Sequence, residues 1–93
     1  MKTDTRAHAI ISGRVQGVFF RVETQNAANR IGVNGWVRNL PDGTVEAVFE
    51  GEKDRVKDIL AWCQKGPQNS RVDQLKVDWQ GYTGEFSDFK VTY

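Results

Sequence analysis

Hydrophobic positions change period along the chain, and each change marks an element. Ala9-Ile10-Ile11 is an apolar run, and His8 to Ser12 reads as a short strand. Phe20, Thr24, Ala27, Ala28 and Ile31 then recur at helical spacing. They predict a helix over 22–31, with that face toward a core and Gln25, Asn26, Asn29 and Arg30 toward water. Gly32 is a natural stop, and Arg30 in the last turn favours the helix dipole. Gly35 to Leu40 reads as a second strand, Pro41-Asp42-Gly43 as a turn, and Thr44 to Glu50 as a third strand that closes a hairpin. Val45, Ala47 and Phe49 share one face of that strand. Thr44, Glu46 and Glu50 share the other with Val48, and the two glutamates look like a solvated face. Gly51 is expected to end the strand.

Glu52 to Lys65 carries the clearest helical pattern. Val56, Ile59, Leu60 and Cys63 make its apolar stripe, acidic Glu52 and Asp54 suit its first turn, and Gly66-Pro67 closes it. A loop over 67–71 follows. Leu75, Val77 and Trp79 alternate with Lys76, Asp78 and Gln80 as a fourth strand. Gly81 to Gly84 is a turn, and Phe89, Val91 and Tyr93 alternate with Asp88, Lys90 and Thr92 in a last strand that reaches the C-terminus. Residues 1–6 are polar and expected to fray. The order β-α-β-β-α-β plus one C-terminal strand predicts an α+β fold: a ferredoxin-like sandwich with a mainly antiparallel sheet and two helices on one face.

Composition narrows the class. A chain of 93 residues suits one domain, 1–93, without room for a second core. The 13 Lys and Arg against 12 Asp and Glu leave a net charge of +1. That argues against a general binder of nucleic acid or acidic membrane, while leaving a local basic pocket open. A single cysteine, Cys63, excludes an internal disulfide framework and fits a reducing compartment. The N-terminus lacks the apolar segment of a signal peptide, and no apolar run reaches transmembrane length. The cytoplasm is the expected location.

The densest chemistry lies between the first strand and the first helix, in Gly13-Arg14-Val15-Gln16-Gly17-Val18-Phe19-Phe20-Arg21. Glycines let a backbone turn its N–H groups toward a ligand, and those groups with the first turn of a helix suit an anion. Arg21 adds a planar fork of donors matched to phosphate oxygens. The competing reading is an ordinary turn that binds nothing. The spacing is not that of a nucleotide P-loop, because Gly13 and Gly17 are too close and no lysine follows Gly17. It is not a dinucleotide fingerprint either. Gln16 is expected to act through its backbone, and Phe19 and Phe20 straddle the helix start so that at least one is core. Arg14 and Arg38 read as solvated surface charge.

Asn39 ends the second strand on the face of Val37. It is either a turn former for the Leu40-Pro41-Asp42-Gly43 bend or an amide that holds a water beside a bound phosphate. His8 is the only histidine and has no serine or cysteine nucleophile in a motif nearby, which removes most Ser-His and Cys-His mechanisms. Cys63 reads as a buried small hydrophobe. Asp42-Gly43-Thr44 lacks the second aspartate of aspartyl-phosphate phosphatases, since position 40 is Leu. No His, Asp or Glu cluster has metal-ligand spacing. An anion site and an amide, with no nucleophile or evident base, suit a phosphate whose leaving group is already good. An acyl phosphate is one, and positioning with charge stabilisation can then suffice.

These residues resemble the acylphosphatase family. Gly13 to Arg21 is similar to its first signature at nearly every position. Gly35-Trp36-Val37-Arg38-Asn39, with Gly43, Val45 and Gly51, is similar to its second. The resemblance implies hydrolysis of the carboxyl–phosphate bond of small acyl phosphates, giving a carboxylate and inorganic phosphate. It implies Arg21 and Asn39 as catalytic residues, with the phosphoryl group held by Gln16, Gly17, Val18, Phe19, Phe20 and Arg21, and the attacking water oriented by Asn39. It implies no metal, no other cofactor and no phosphoenzyme, with the substrate's own phosphate accepting the water's proton. No nucleic acid or membrane partner is implied, and a monomer is expected. Leu40 departs from the family, many members of which carry a threonine there that would support the asparagine. Two other readings stand beside this one. A ferredoxin-like sheet can present aromatics to RNA, although the charge is near neutral and the aromatic RNA-binding pattern is missing. An accessory domain acting on carbamoyl phosphate within a larger transferase is the other, disfavoured by a sequence that ends at Tyr93.

Overall fold

The computed structural model describes residues 3–93. In chain order the elements are β1 (Asp4–Arg14), α1 (Phe20–Ile31), β2 (Asn34–Asn39), β3 (Val45–Glu52), α2 (Lys53–Lys65), β4 (Arg71–Gln80) and β5 (Phe89–Val91). The strands form one sheet in the order β4-β1-β3-β2-β5. Two βαβ units interleave: β3 lies between β1 and β2, and β1 lies between β3 and β4. The pairs β1–β3, β1–β4 and β2–β3 are antiparallel, and β5 runs parallel to β2 at the edge. The expected ferredoxin-like α+β fold is therefore found.

Alternation explains the core. Ala7, Ala9 and Ile11 of β1 and Val45, Ala47 and Phe49 of β3 point to one face and are buried. Phe20, Thr24, Ala27 and Ala28 of α1 and Val56, Ile59, Leu60 and Cys63 of α2 cover that face. Phe49 stacks on Phe89 with ring centroids 5.5 Å apart, fixing the edge strand to the core.

Register places the functional edge. Val45 pairs with Ile11 on one side and with Asn39 on the other. The C-terminal ends of β1 and β2 thus flank the start of β3, and the β1–α1 loop opens beside Asn39. The β1–β4 register shifts between Ser12 and Gly13, a bulge at which φ of Gly13 is 128°. A Cβ on Gly13 would collide with the carbonyl oxygen of Arg71. The sheet itself therefore requires glycine at position 13.

The structure corrects several expectations. Of the segment expected to fray, Met1 and Lys2 lie outside the described residues, while β1 begins at Asp4 and the Lys53 amide bonds the Thr3 carbonyl at 2.9 Å. The α1 helix starts at Phe20, one half-turn earlier than its periodicity suggested. Gln25 is half-buried, its amide donating to the Phe89 carbonyl at 2.9 Å. β3 continues through Gly51 to Glu52. Glu50 is buried, not solvated, because Arg6, Thr83 and Gly84 close over it. β5 is only three residues long, although the Thr92 amide still bonds the Val37 carbonyl at 2.8 Å.

Candidate active site

The loop at 15–19 turns the chain from the end of β1 into the start of α1. Gly17 makes that turn with φ 74°, and no atom would touch a Cβ there, so the need is conformational. Phe19 occupies the N-cap of α1 in the left-handed region, at φ 58° and ψ 24°. For a bulky side chain this stores about 1–3 kcal/mol of strain, of the kind that gathers at functional sites. The ring of Phe19 is 79% exposed, whereas Phe20 is core. The first helical bond runs from the Glu23 amide to the Phe19 carbonyl at 3.0 Å. The amides of Phe20, Arg21 and Val22 are thus the free N-terminal donors of the helix, at its positive end.

Gly17, Phe19, Phe20, Arg21 and Asn39 line one cleft of about 220 Å³. The two residues singled out in separate sequence motifs meet there. Val18 instead packs against the core. The Arg21 guanidinium donates from Nη1 to the Thr92 carbonyl at 3.2 Å and lies over the Tyr93 ring, 4.7 Å from its centroid. No acidic side chain pairs with it among the described ion pairs. Its charge therefore stays available to an anion. Asn39 carries a buried Oδ1 with no hydrogen-bond partner among the described residues. A buried amide oxygen left unmatched is costly, so the site favours a donor at that point.

Gln16 departs from expectation in that its side chain makes hydrogen bonds of its own. Its Nε2 donates to the carbonyls of Leu40 and Thr44, each at 2.8 Å. It ties the loop to the mouth of the β2–β3 turn, next to Asn39. That turn is further closed by Asp42, whose Oδ1 accepts from the Thr44 amide at 3.0 Å and hydroxyl at 2.6 Å. The Thr44 hydroxyl and amide hold the Asp42 carboxyl below its ordinary value, and it acts as a turn residue.

The remaining candidates sit elsewhere. His8 Nε2 donates to the Glu46 carboxylate at 2.7 Å on the open face of the sheet. Arg38 bonds the same carboxylate at 2.6 Å and lies over Trp36. Arg14 is exposed. Burial pushes the Cys63 thiol up to about 12, as for an inert core residue. Among the described residues no three His, Cys, Asp or Glu side chains gather as metal ligands, and no helix is long and apolar enough to cross a membrane. Thr92 and Tyr93 escaped sequence reasoning. The only signal for them was the parallel alignment of the last strand with the second, which sequence alone does not reveal.

Fold and cleft together define a ferredoxin-like domain in which the β1–α1 loop, Arg21 and Asn39 share one cleft at the C-terminal ends of β1 and β2. The acylphosphatase family model matches residues 7–91, and the chain belongs to the acylphosphatase family, enzymes that hydrolyse acyl phosphates. It is 52% identical over 88 residues to an acylphosphatase of Pelotomaculum thermopropionicum, covering 95% of this chain and 96% of that one. Among solved structures, an acylphosphatase from Coxiella burnetii superposes with a TM-score of 0.91 at 36% identity, covering 96% of this chain and 93% of that chain. One from Bacillus subtilis superposes at 0.92 and 30% identity, covering 96% and 99%.

Proposed function

We propose that this acylphosphatase binds the phosphoryl group in the cleft at 16–21 and hydrolyses it without a metal or a phosphoenzyme. The loop amides and the free donors of α1 surround the phosphoryl oxygens, and Arg21 grips them as a fork. Asn39 holds the attacking water in line with the bond that breaks. The water oxygen attacks phosphorus. The P–O bond to the acyl group breaks with its electron pair leaving on the carboxylate, and the water proton passes to a phosphoryl oxygen. A carboxylate is a good leaving group, so no general acid is required, and preorganised charge does the rest. The reading suits a single domain over 1–93 that works as a cytoplasmic monomer on small acyl phosphates.

The observation that carries this reading is the meeting in one cleft of two groups: Arg21, with no acidic partner among the described residues, and the unmatched Oδ1 of Asn39. Hydrolysis of benzoyl phosphate in ¹⁸O-water with excess EDTA tests it. Label in inorganic phosphate and none in benzoate is expected. Label in benzoate, or loss of activity with EDTA, overturns it.

A further inference from the structure

We infer that the acyl part of the substrate lies in an apolar groove beside the phosphate cleft, and that this groove selects acyl phosphates with an uncharged, hydrophobic acyl group. The inference rests on the phosphate-site reading above. A second hollow, of about 390 Å³, shares Phe19 and Val22 with the cleft and continues past Val18 and Glu23 to Pro67 and Asn69. Phe19 is 79% and Val22 47% exposed. Two large apolar side chains thus stand in water on the rim that joins the two hollows. Burying them would be favourable by the hydrophobic effect.

The charges complete the match. An acyl phosphate is anionic at one end, and Arg21 lies in the cleft that takes that end. The groove has one ionisable lining residue, the carboxylate of Glu23, and no cation. A second anionic group on the acyl part would face that carboxylate in an apolar surrounding, whereas an alkyl or aryl group would cover Phe19 and Val22. The side-chain amides of Gln68 and Asn69, beside Pro67 in the same hollow, can serve a neutral polar substituent.

The test compares kcat/KM for acetyl, benzoyl and 4-carboxybenzoyl phosphate at low ionic strength. The readouts are ratios, which cancel any general effect on the loop. The wild type is expected to prefer benzoyl over acetyl phosphate by about tenfold. Phe19→Ala and Val22→Ser should each lower that preference by about threefold. Glu23→Gln should raise the 4-carboxybenzoyl to benzoyl ratio by about threefold, a gain lost in high salt. Ratios unchanged by all three substitutions, with the substrates moving together, would overturn the groove while leaving the phosphate site intact. A folded wild type that turns over none of the three would overturn the phosphate-site reading, and the groove with it.

Discussion

The side-chain amide of Gln16 donates to the Leu40 carbonyl at 2.8 Å and so couples the β1–α1 loop to the strand end that carries Asn39. The second bond, to Thr44, closes the mouth of the turn. A loop and an amide from different strands must share one geometry within a fraction of an ångström for an in-line attack, and small misplacements are expensive in rate. Gln16→Ala is expected to lower kcat by about tenfold with little change in KM, and to cost about 1 kcal/mol of stability for the two lost side-chain bonds, since the Leu40 and Thr44 carbonyls keep the Gly43 and Leu40 amides as donors. Steady-state kinetics beside urea unfolding check it. Gln16→Glu should be worse on both counts, because it sets a carboxylate against two carbonyl oxygens.

Asn39→Ala should reduce kcat by about 10²-fold, because it removes the group that holds the attacking water in line. Its fold should persist, since Oδ1 bonds nothing among the described residues. Stopped-flow or steady-state assays on the purified, folded variant decide the matter. A kcat near wild type would remove Asn39 from the reaction.

Tyr93 stacks on the guanidinium of Arg21, and Thr92 accepts a hydrogen bond from it. Tyr93→Ala is expected to raise KM and the inhibition constant of inorganic phosphate together, by about threefold to fivefold, the equivalent of roughly 1 kcal/mol for a lost cation–π contact. Competitive inhibition by phosphate measures this directly. An unchanged inhibition constant would mean that the stack does not steady Arg21.

The meeting of Arg21 and Asn39 in one cleft followed from the sequence pattern, and the pattern of misses is physical. Local rules found the helices, because Val56, Ile59, Leu60 and Cys63 bury on one stripe whatever they pack against. Topology rules then brought Asn39 to the loop, because two parallel strands separated by one antiparallel strand end on the same edge. What escaped was long-range and side-chain specific. Gln16 reaches across 24 residues to Leu40, Arg21 across 71 to Thr92, and Glu50 across 33 to Thr83. Periodicity assigns a face but not a partner, so Glu50 read as solvated when donors from the 83–84 segment in fact enclose it. Gly13 read as part of an anion loop because spacing does not distinguish a ligand's approach from that of a neighbouring strand.

Glu50 gives the protein an acid limit. Burial pushes its carboxyl up, but the amide and hydroxyl of Thr83, the Arg6 guanidinium and the Gly84 amide outweigh that, and it lies below its ordinary 4.5. The unfolded chain therefore binds the proton more readily. The stabilisation is fully present above about pH 4.5 and is lost as pH falls through the lower folded value. Glu46 is lowered in the same sense: burial raises it, but His8 and Arg38 outweigh that. Glu50→Gln should cost about 1–2 kcal/mol near pH 7, because the Thr83 amide and hydroxyl and the Gly84 amide lose a charged acceptor, whereas Arg6 keeps Glu85. It should also flatten the loss of stability in acid. Urea unfolding from pH 7 to pH 3 checks both.

The central claim is that Arg21 holds the phosphoryl group through the reaction. Its most direct test is benzoyl phosphate turnover with excess EDTA, for the wild type beside folded Arg21→Ala. The account predicts metal-independent activity in the wild type and no measurable turnover in the variant. Substantial turnover by Arg21→Ala would contradict it.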